Sequence, residues 1–272
     1  MPDFLTHQYF GDLVLSQLPF EIQSRINLNK DLYQIGLQGP DPLFFYKPMK
    51  STHVSKQGKM LHKLTGAEYF SISLAVFKTD KENIEAPLVY QIGFLCHYLL
   101  DSVCHTFVSR YEKQTGVSHS DMEGEFERYL MEKAGKDPLR INPADFINPK
   151  KEYGEIISRF SMGLSPKDCY DAISSFKRYR NLFFCPGSVK RYFVYQFFKI
   201  AGIYEKYRGQ VMNVEPYPNT QDSDEELYKL VHDTVPLALR MIPRFVIAAE
   251  QDEPSLFLLD NSLQIPFDGI SI

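Results

Sequence analysis

Residues 93–105, GFLCHYLLDSVCH, place His97, Asp101 and His105 at i, i+4 and i+8. On an α-helix each such step drifts by only about 40°, so the three side chains face one side. Two imidazoles and a carboxylate on one stripe are the ligand types a divalent cation takes, zinc above all. Fourteen residues after His105, the run HSDME puts His119 and Glu123 at i, i+4. The segment VSHSDMEGEFERYL reads as a helix start capped by Ser118 or Ser120. Two consecutive helices then each offer ligands, which is how metal sites form in the cores of helix bundles. A chain built around this block folds as helices.

The rest of the sequence agrees. Helices are expected over 3–18, 60–79, 86–109, 119–134, 150–162, 168–182, 188–207 and 224–249, many with apolar spacing near 3.6. Pro19, Pro87, Pro143, Pro166 and Pro186 sit at or near the expected boundaries. Pro236 and Pro243 fall inside the last stretch and should kink or break it. The segments 36–58 and 209–223 read as irregular loops, and 251–272 as a tail running over the surface. No clear run of alternating strand pattern occurs, so the expected class is all-α, a multi-helix bundle with a metal cluster in its core. Residues 1–135 form the metal-binding core, and 136–272 a helical C-terminal part packed on it by its aromatic faces.

Composition narrows the function classes. Apolar residues make up 44% of the 272, enough to bury a sizeable core. A net charge of -4 argues against a dedicated nucleic-acid binder, and 14% aromatic content against a disordered chain. No apolar run is long enough to span a membrane, and the start lacks the basic region and cleavage site of a secretory signal. A cytoplasmic protein is the expectation. Cys96, Cys104, Cys169 and Cys185 form no CxxC pair and read as buried thiols. Cys96 and Cys104 each precede a histidine, but a helix turns neighbouring side chains by about 100°, so neither counts as a ligand.

The other histidines divide. His7 lies on the first helix, His62 near the start of another, and Asp41 in the turn QGPDPLFF, where a carboxylate is easily aimed inward. For Asp41 a ligand and a turn-forming aspartate weigh about equally on the residues alone. A lone HxxxD or HxxxE pair is also a common helix-surface couple; the weight here comes from several converging pairs. His53, in a Lys/Ser-rich loop, reads as exposed, and His232 as a helix-surface or cap residue.

Taken in order, these residues resemble the zinc-dependent phospholipase C family, which is related to the fungal single-strand nucleases. Secreted bacterial members carry HYL-x-D followed by a histidine and then HS-x-x-E. Here these are His97-Tyr98-Leu99 with Asp101, then His105, then His119-Ser120 with Glu123. His7, Asp41 and His62 match the family's early histidine, loop aspartate and preceding histidine in order and approximate spacing. The resemblance covers about residues 1–135. It implies two or three zinc ions. Asp41, His62, His97 and Asp101 would hold one, His105, His119 and Glu123 a second, and His7 with a bridging Asp101 a third.

Two departures stand out. Secreted members complete the third site with an N-terminal tryptophan, and this chain has no tryptophan. Asp3, at i−4 from His7, or the amine of a processed Pro2 is the substitute. The Asp101–His105 gap is also shorter than in the secreted enzymes, which a helix extended through His105 absorbs.

The implied activity is phosphodiester hydrolysis by a metal-activated water, with Asp41 as ligand and base. The substrate is a small phosphodiester or phospholipid. A single-strand nuclease and a non-catalytic metal-binding protein are the alternatives. Phe44, Phe45 and Tyr46 either line the entrance or belong to the core. Residues 177–199 interleave cations and aromatics. They either touch an anionic membrane surface or form helices with a buried aromatic face, and the second reading is preferred.

Overall fold

The computed structural model describes residues 4–81, 83–218 and 220–269. Its axis is the 31-residue helix α6 (Glu85–Thr115), roughly 46 Å long at 1.5 Å per residue. Every residue from Pro87 to Ser102 is buried, so this stretch is enclosed on all sides. Around it stand α1 (Phe4–Leu15), α2 (Phe20–Leu28), α3 (Lys30–Gly36), α4 (His53–Lys63) and α5 (Gly66–Thr79). The chain continues through α7 (His119–Lys133), α8 (Lys151–Ser158), α9 (Pro166–Phe183), α10 (Ser188–Ile200), the short α11 (Tyr204–Tyr207) and α12 (Gln221–Gln251). The fold is all-α: among the described residues the one β feature is an isolated bridge between Thr65 and Pro266.

Local chemistry sets the boundaries. Capping boxes start α4 (Thr52 with Ser55), α5 (Thr65 with Glu68) and α9 (Ser165 with Asp168). Ser118 caps α7 by accepting from the Asp121 backbone N–H. Thr65 therefore divides the expected 60–79 helix in two. The segment 36–58 is not wholly irregular: it holds a 3-10 turn, Asp41–Phe45, and the first residues of α4. His62 lies near the end of α4, not near the start of a helix, and His53 opens α4 rather than sitting in a loop. α2 and α3 fill a stretch for which no helix is expected. In α2 only Ile22 and Ile26 are buried, a single i, i+4 pair that leaves almost no periodic signal. The expected 188–207 helix is interrupted between α10 and α11, where the chain turns at Ala201–Ile203.

α12 is not broken at its prolines. It is one helix through Pro236 and Pro243, which leaves two carbonyls without their usual i+4 donors. It packs on α6, α1, α7 and α5. One hydrophobic core runs from Phe4 to Phe267 and includes Ile157, Phe176, Val231 and Phe245. The C-terminal segment is not a surface tail, since Phe257, Leu263 and Phe267 are fully buried. The Tyr98 hydroxyl donates to the Ser262 and Ile265 carbonyls (2.8 Å each), and the Asp268 N–H donates to the His62 carbonyl (3.2 Å). Three anchors separated by turns carry no helical or strand period, so the sequence pattern gives no hint of them.

One close contact sets the position of Asp41. α3 meets α6 backbone to backbone: a Cβ on Gly93 would lie 2.4 Å from the Tyr33 carbonyl oxygen. Only glycine allows this approach. It brings the turn after α3, which carries Asp41, beside His97 on α6.

Candidate metal centre

Eight side chains from five elements converge at the middle of α6. α6 supplies His97, Asp101 and His105; α7 supplies His119 and Glu123; α1 supplies His7, the 3-10 turn Asp41, and α4 His62. All are buried except His119, whose side chain is 30% exposed. The Leu5 backbone N–H donates to the Glu127 carboxylate of α7. That bond ties the first turn of α1 to α7 and so sets where His7 enters.

Asp101 is the hub. Its Oδ1 lies 3.2 Å from His7 Nε2, while its Oδ2 lies 3.1 Å from His97 Nε2 and 3.6 Å from His105 Nε2. The two oxygens thus serve different histidines. The His7 and His97 rings stack at 4.2 Å. On the other side, His62 Nε2 is 3.1 Å from Asp41 Oδ1. Two trios bring their ligand atoms within 4.8 Å of one another: His7, His97 and Asp101, and Asp41, His62 and His97. His97 belongs to both. Among the described residues, His105, His119 and Glu123 close less tightly. His119 Nε2 sits 2.7 Å from Glu123 Oε1, and the His105 and His119 rings are 5.2 Å apart.

Hydrogen bonds fix which nitrogens carry lone pairs. His97 Nδ1 donates to the Leu37 carbonyl (3.2 Å) and His62 Nδ1 to the Gly58 carbonyl (2.8 Å). A neutral ring donating through Nδ1 presents a bare lone pair at Nε2. Both Nε2 atoms face carboxylate oxygens, an arrangement that repels unless a proton or metal ion sits between them. Backbone partners of this kind orient histidines at metal centres.

Several of the polar atoms have no other use. Both ring nitrogens of His7, Nε2 of His97 and His105, and both oxygens of Asp101 are buried without a hydrogen-bond partner among the described residues. Each such atom costs about 1–3 kcal/mol when left unsatisfied. A divalent cation among them offsets that cost, and imidazole with carboxylate is a donor set suited to zinc.

The protonation tendencies of His7, His105, Asp101 and Glu123 agree, and His62 differs. Burial, followed by the nearby His97 ring, lowers the pKa of His7, and burial lowers that of His105, keeping both rings neutral. Burial opposes the Asp101 charge, but the His97 and His105 rings outweigh it and hold the carboxyl well below its usual range. Burial likewise opposes the Glu123 charge, yet His119 brings that carboxyl down to about 2. At His62 burial lowers the pKa and the Asp41 carboxylate more than restores it, so this ring favours a proton that a metal ion between it and Asp41 would have to displace. Neutral histidines and ionised carboxylates are the forms that bind metal.

A cavity of about 610 Å³ opens onto this cluster, with Asp41 and Glu123 in its lining. Lys50, Lys59 and Arg180 line it, as do Phe44, Phe45, Met49, Ser120, Tyr207 and Gln210. Phe44 and Phe45 thus line the cavity, Phe45 also packing against the core, whereas Tyr46 belongs to the core. Arg180, Tyr207 and Gln210 come from the C-terminal half, where no ligand spacing draws attention to them.

The family model for zinc-dependent phospholipase C matches residues 6–171, more than half of the chain. This chain belongs to the zinc-dependent phospholipase C family. The match to zinc-dependent phospholipase C includes all eight converging residues and runs past the 1–135 over which the motifs are visible. It ends before Arg180 and α10. Zinc binding fits both the family and the buried His/Asp trios. No curated protein and no solved structure gave a match.

The remaining candidates fall elsewhere. His53 pairs with Asp168 at 3.2 Å on the surface, and His232 Nδ1 donates to the Tyr228 carbonyl within α12. The four cysteines are free, buried and outside both trios. Asp3 and Pro2 lie outside the described residues.

Proposed function

We propose that this chain is a zinc-dependent phosphoesterase hydrolysing phosphodiesters in the manner of a phospholipase C. The observation that carries the reading is the Asp101 carboxylate, which divides its oxygens between His7 and the pair His97 and His105, in a cluster that reaches a cation-lined cavity through Asp41 and Glu123. Asp41, His62, His97 and Asp101 hold one zinc, His105, His119 and Glu123 a second, and His7 with Asp101 a third. Bound zinc supplies a Lewis acid for phosphoryl oxygens and lowers the pKa of a water. Asp41, at the cavity wall, would be the carboxylate placed to take the proton of an attacking water. Lys50, Lys59 and Arg180 offset the charge of the bound phosphate, and Phe44 and Phe45 pack against the apolar part of the ester. The opening beside Asp41 and Glu123 supports a catalytic centre, since structural zinc sites are closed by protein ligands. Four buried free thiols support a cytoplasmic setting.

The test is turnover by zinc-loaded protein on a choline phosphodiester, aryl phosphate esters and single-stranded DNA. The expected result is hydrolysis of the choline or aryl phosphodiester. Cleavage confined to single-stranded DNA would make the chain a nuclease. Full zinc content with no turnover on any ester would make the metal structural.

A further inference from the structure

Helix α10 is apolar on two separate faces. Val194 and Phe198 point inward onto a small core with Phe183, Cys185 and Val211. On the second face Val189, Phe193, Phe197 and Ile200 stand at i, i+4, i+8 and i+11, one continuous stripe, each between 57% and 86% exposed. An uncovered apolar strip of this size marks a docking surface.

The charge around the stripe indicates what docks there. Residues 172–204 contain no Asp or Glu but hold Lys177, Arg178, Lys190, Arg191 and Lys199, besides the buried Arg180 of the cavity. Residues 42–67 are also free of acidic side chains and carry Lys47, Lys50, Lys56, Lys59 and Lys63. The chain as a whole is net acidic at -4, yet these two segments hold 11 of its 30 Lys and Arg and none of its 34 Asp and Glu. The two segments meet in an apolar groove where Phe45, Pro48 and Met49 lie beside Leu182 and Phe197. Met49, itself 64% exposed, extends the stripe. Phe45, Pro48 and Met49 also line the cavity above the metal cluster, so the stripe and the cavity mouth adjoin.

We propose that the outer stripe of α10, with Met49, is a membrane-docking surface for an anionic bilayer. The aromatic and aliphatic side chains enter the headgroup boundary while the flanking lysines and arginines meet anionic lipid. Docking brings the cavity mouth against the lipid phosphates. A second copy of this chain is a poor occupant, because it would set the same cations against one another. The proposal rests on the phosphoesterase reading for what docking serves, but not for the binding itself.

The test is co-sedimentation of the full chain with vesicles of phosphatidylcholine alone and of phosphatidylcholine with phosphatidylserine. The chain should bind the anionic vesicles at least about 10-fold more tightly, with the difference shrinking in high salt. The double variant Phe193→Ser with Ile200→Ser should lose about 10-fold or more of that binding. It should keep its zinc, its melting temperature and its turnover of a soluble aryl phosphate ester. Vesicle binding without turnover of any ester would leave the docking surface standing and remove the phosphoesterase reading. Equal binding of the variant, or no preference for anionic vesicles, would overturn the proposal. So would a dimer of the chain that the double variant dissociates, since a second copy would then cover the stripe.

Discussion

Asp101→Asn should strip at least one metal ion from the purified chain and abolish nearly all ester hydrolysis. Asp101 is fully buried and divides its two oxygens between His7 and the pair His97 and His105. A carboxylate in that position holds two cations close and offsets their repulsion. Asparagine keeps the size but removes the charge and half of the bridging capacity. Loss of a residue that merely orients a metal ligand reduces affinity or activity by about 10–100-fold, so loss of the hub should exceed that. Circular dichroism should remain helical, because the contacts of α6 with its neighbours are mostly apolar. His53→Ala and His232→Ala are the controls. His53 pairs with surface Asp168 and meets the Tyr46 ring, and His232 is held by Tyr228 and Tyr9, away from the cluster. Elemental analysis and turnover on the best ester read the result. Wild-type metal and rate in Asp101→Asn would remove the hub from the account.

Gly39→Ala should damage the centre from a residue that holds no metal. Gly39 lies in the turn between α3 and Asp41 with φ of +50°, a backbone conformation that L side chains rarely adopt. A Cβ there would come 2.2 Å from His97 Cδ2 and 2.5 Å from its Nε2. The ring cannot retreat without giving up its hydrogen bond to the Leu37 carbonyl. The variant should lose about 1–3 kcal/mol of stability from overpacking, in addition to left-handed strain of about 1–2 kcal/mol. It should also lose the metal of the Asp41, His62 and His97 trio. Gly116→Ala separates the two effects. Gly116 has φ of +75° at the end of α6, and nothing lies within 4 Å of its added Cβ. It should lose stability from the strain alone and keep full metal. Equal metal loss in both variants would mean that general destabilisation, not the His97 contact, empties the site.

The α6 and α7 ligands are legible in the sequence because helical spacing is a local property. His97, Asp101 and His105 share a stripe whatever else the chain does, and Ser118 announces the start of α7. His7, Asp41 and His62 are legible only through their order in a family resemblance. Their convergence depends on the close approach of α3 to Gly93 on α6 and on the Leu5–Glu127 bond, and neither has a local pattern. The spacing puts His62 near the wrong end of its helix, although Thr65-x-x-Glu68 is a capping box that marks the true boundary.

Most of the surroundings of the metal ligands are hidden from the sequence pattern. Phe267 lies against Tyr98 at 4.7 Å and within 6.3 Å of the His62 and His97 rings, so it closes the back of the site. It comes from a segment without periodicity, 170 positions from His97 in the chain, and only tertiary packing brings the two together. Arg180 reaches the cavity because α9 packs on the Asp41–Phe45 turn. The prolines of α12 mislead in the opposite direction. Each removes a hydrogen bond, but the burial of Val231, Val235, Ala238, Ile242 and Phe245 keeps the helix intact across them. The aromatic-cationic segment 177–199 has two apolar faces: its inner face is buried as expected, and its outer face is exposed.

Anomalous diffraction at the zinc edge, on crystals of the zinc-loaded chain, tests the central claim most directly, because it reports both the number of ions and their places. The account predicts two or three peaks within about 2.3 Å of their ligand atoms. They should lie in the Asp41, His62 and His97 trio, beside His105, His119 and Glu123, and between His7 and Asp101. No peak against Asp101, or zinc only at surface pairs such as His53 with Asp168, would contradict it.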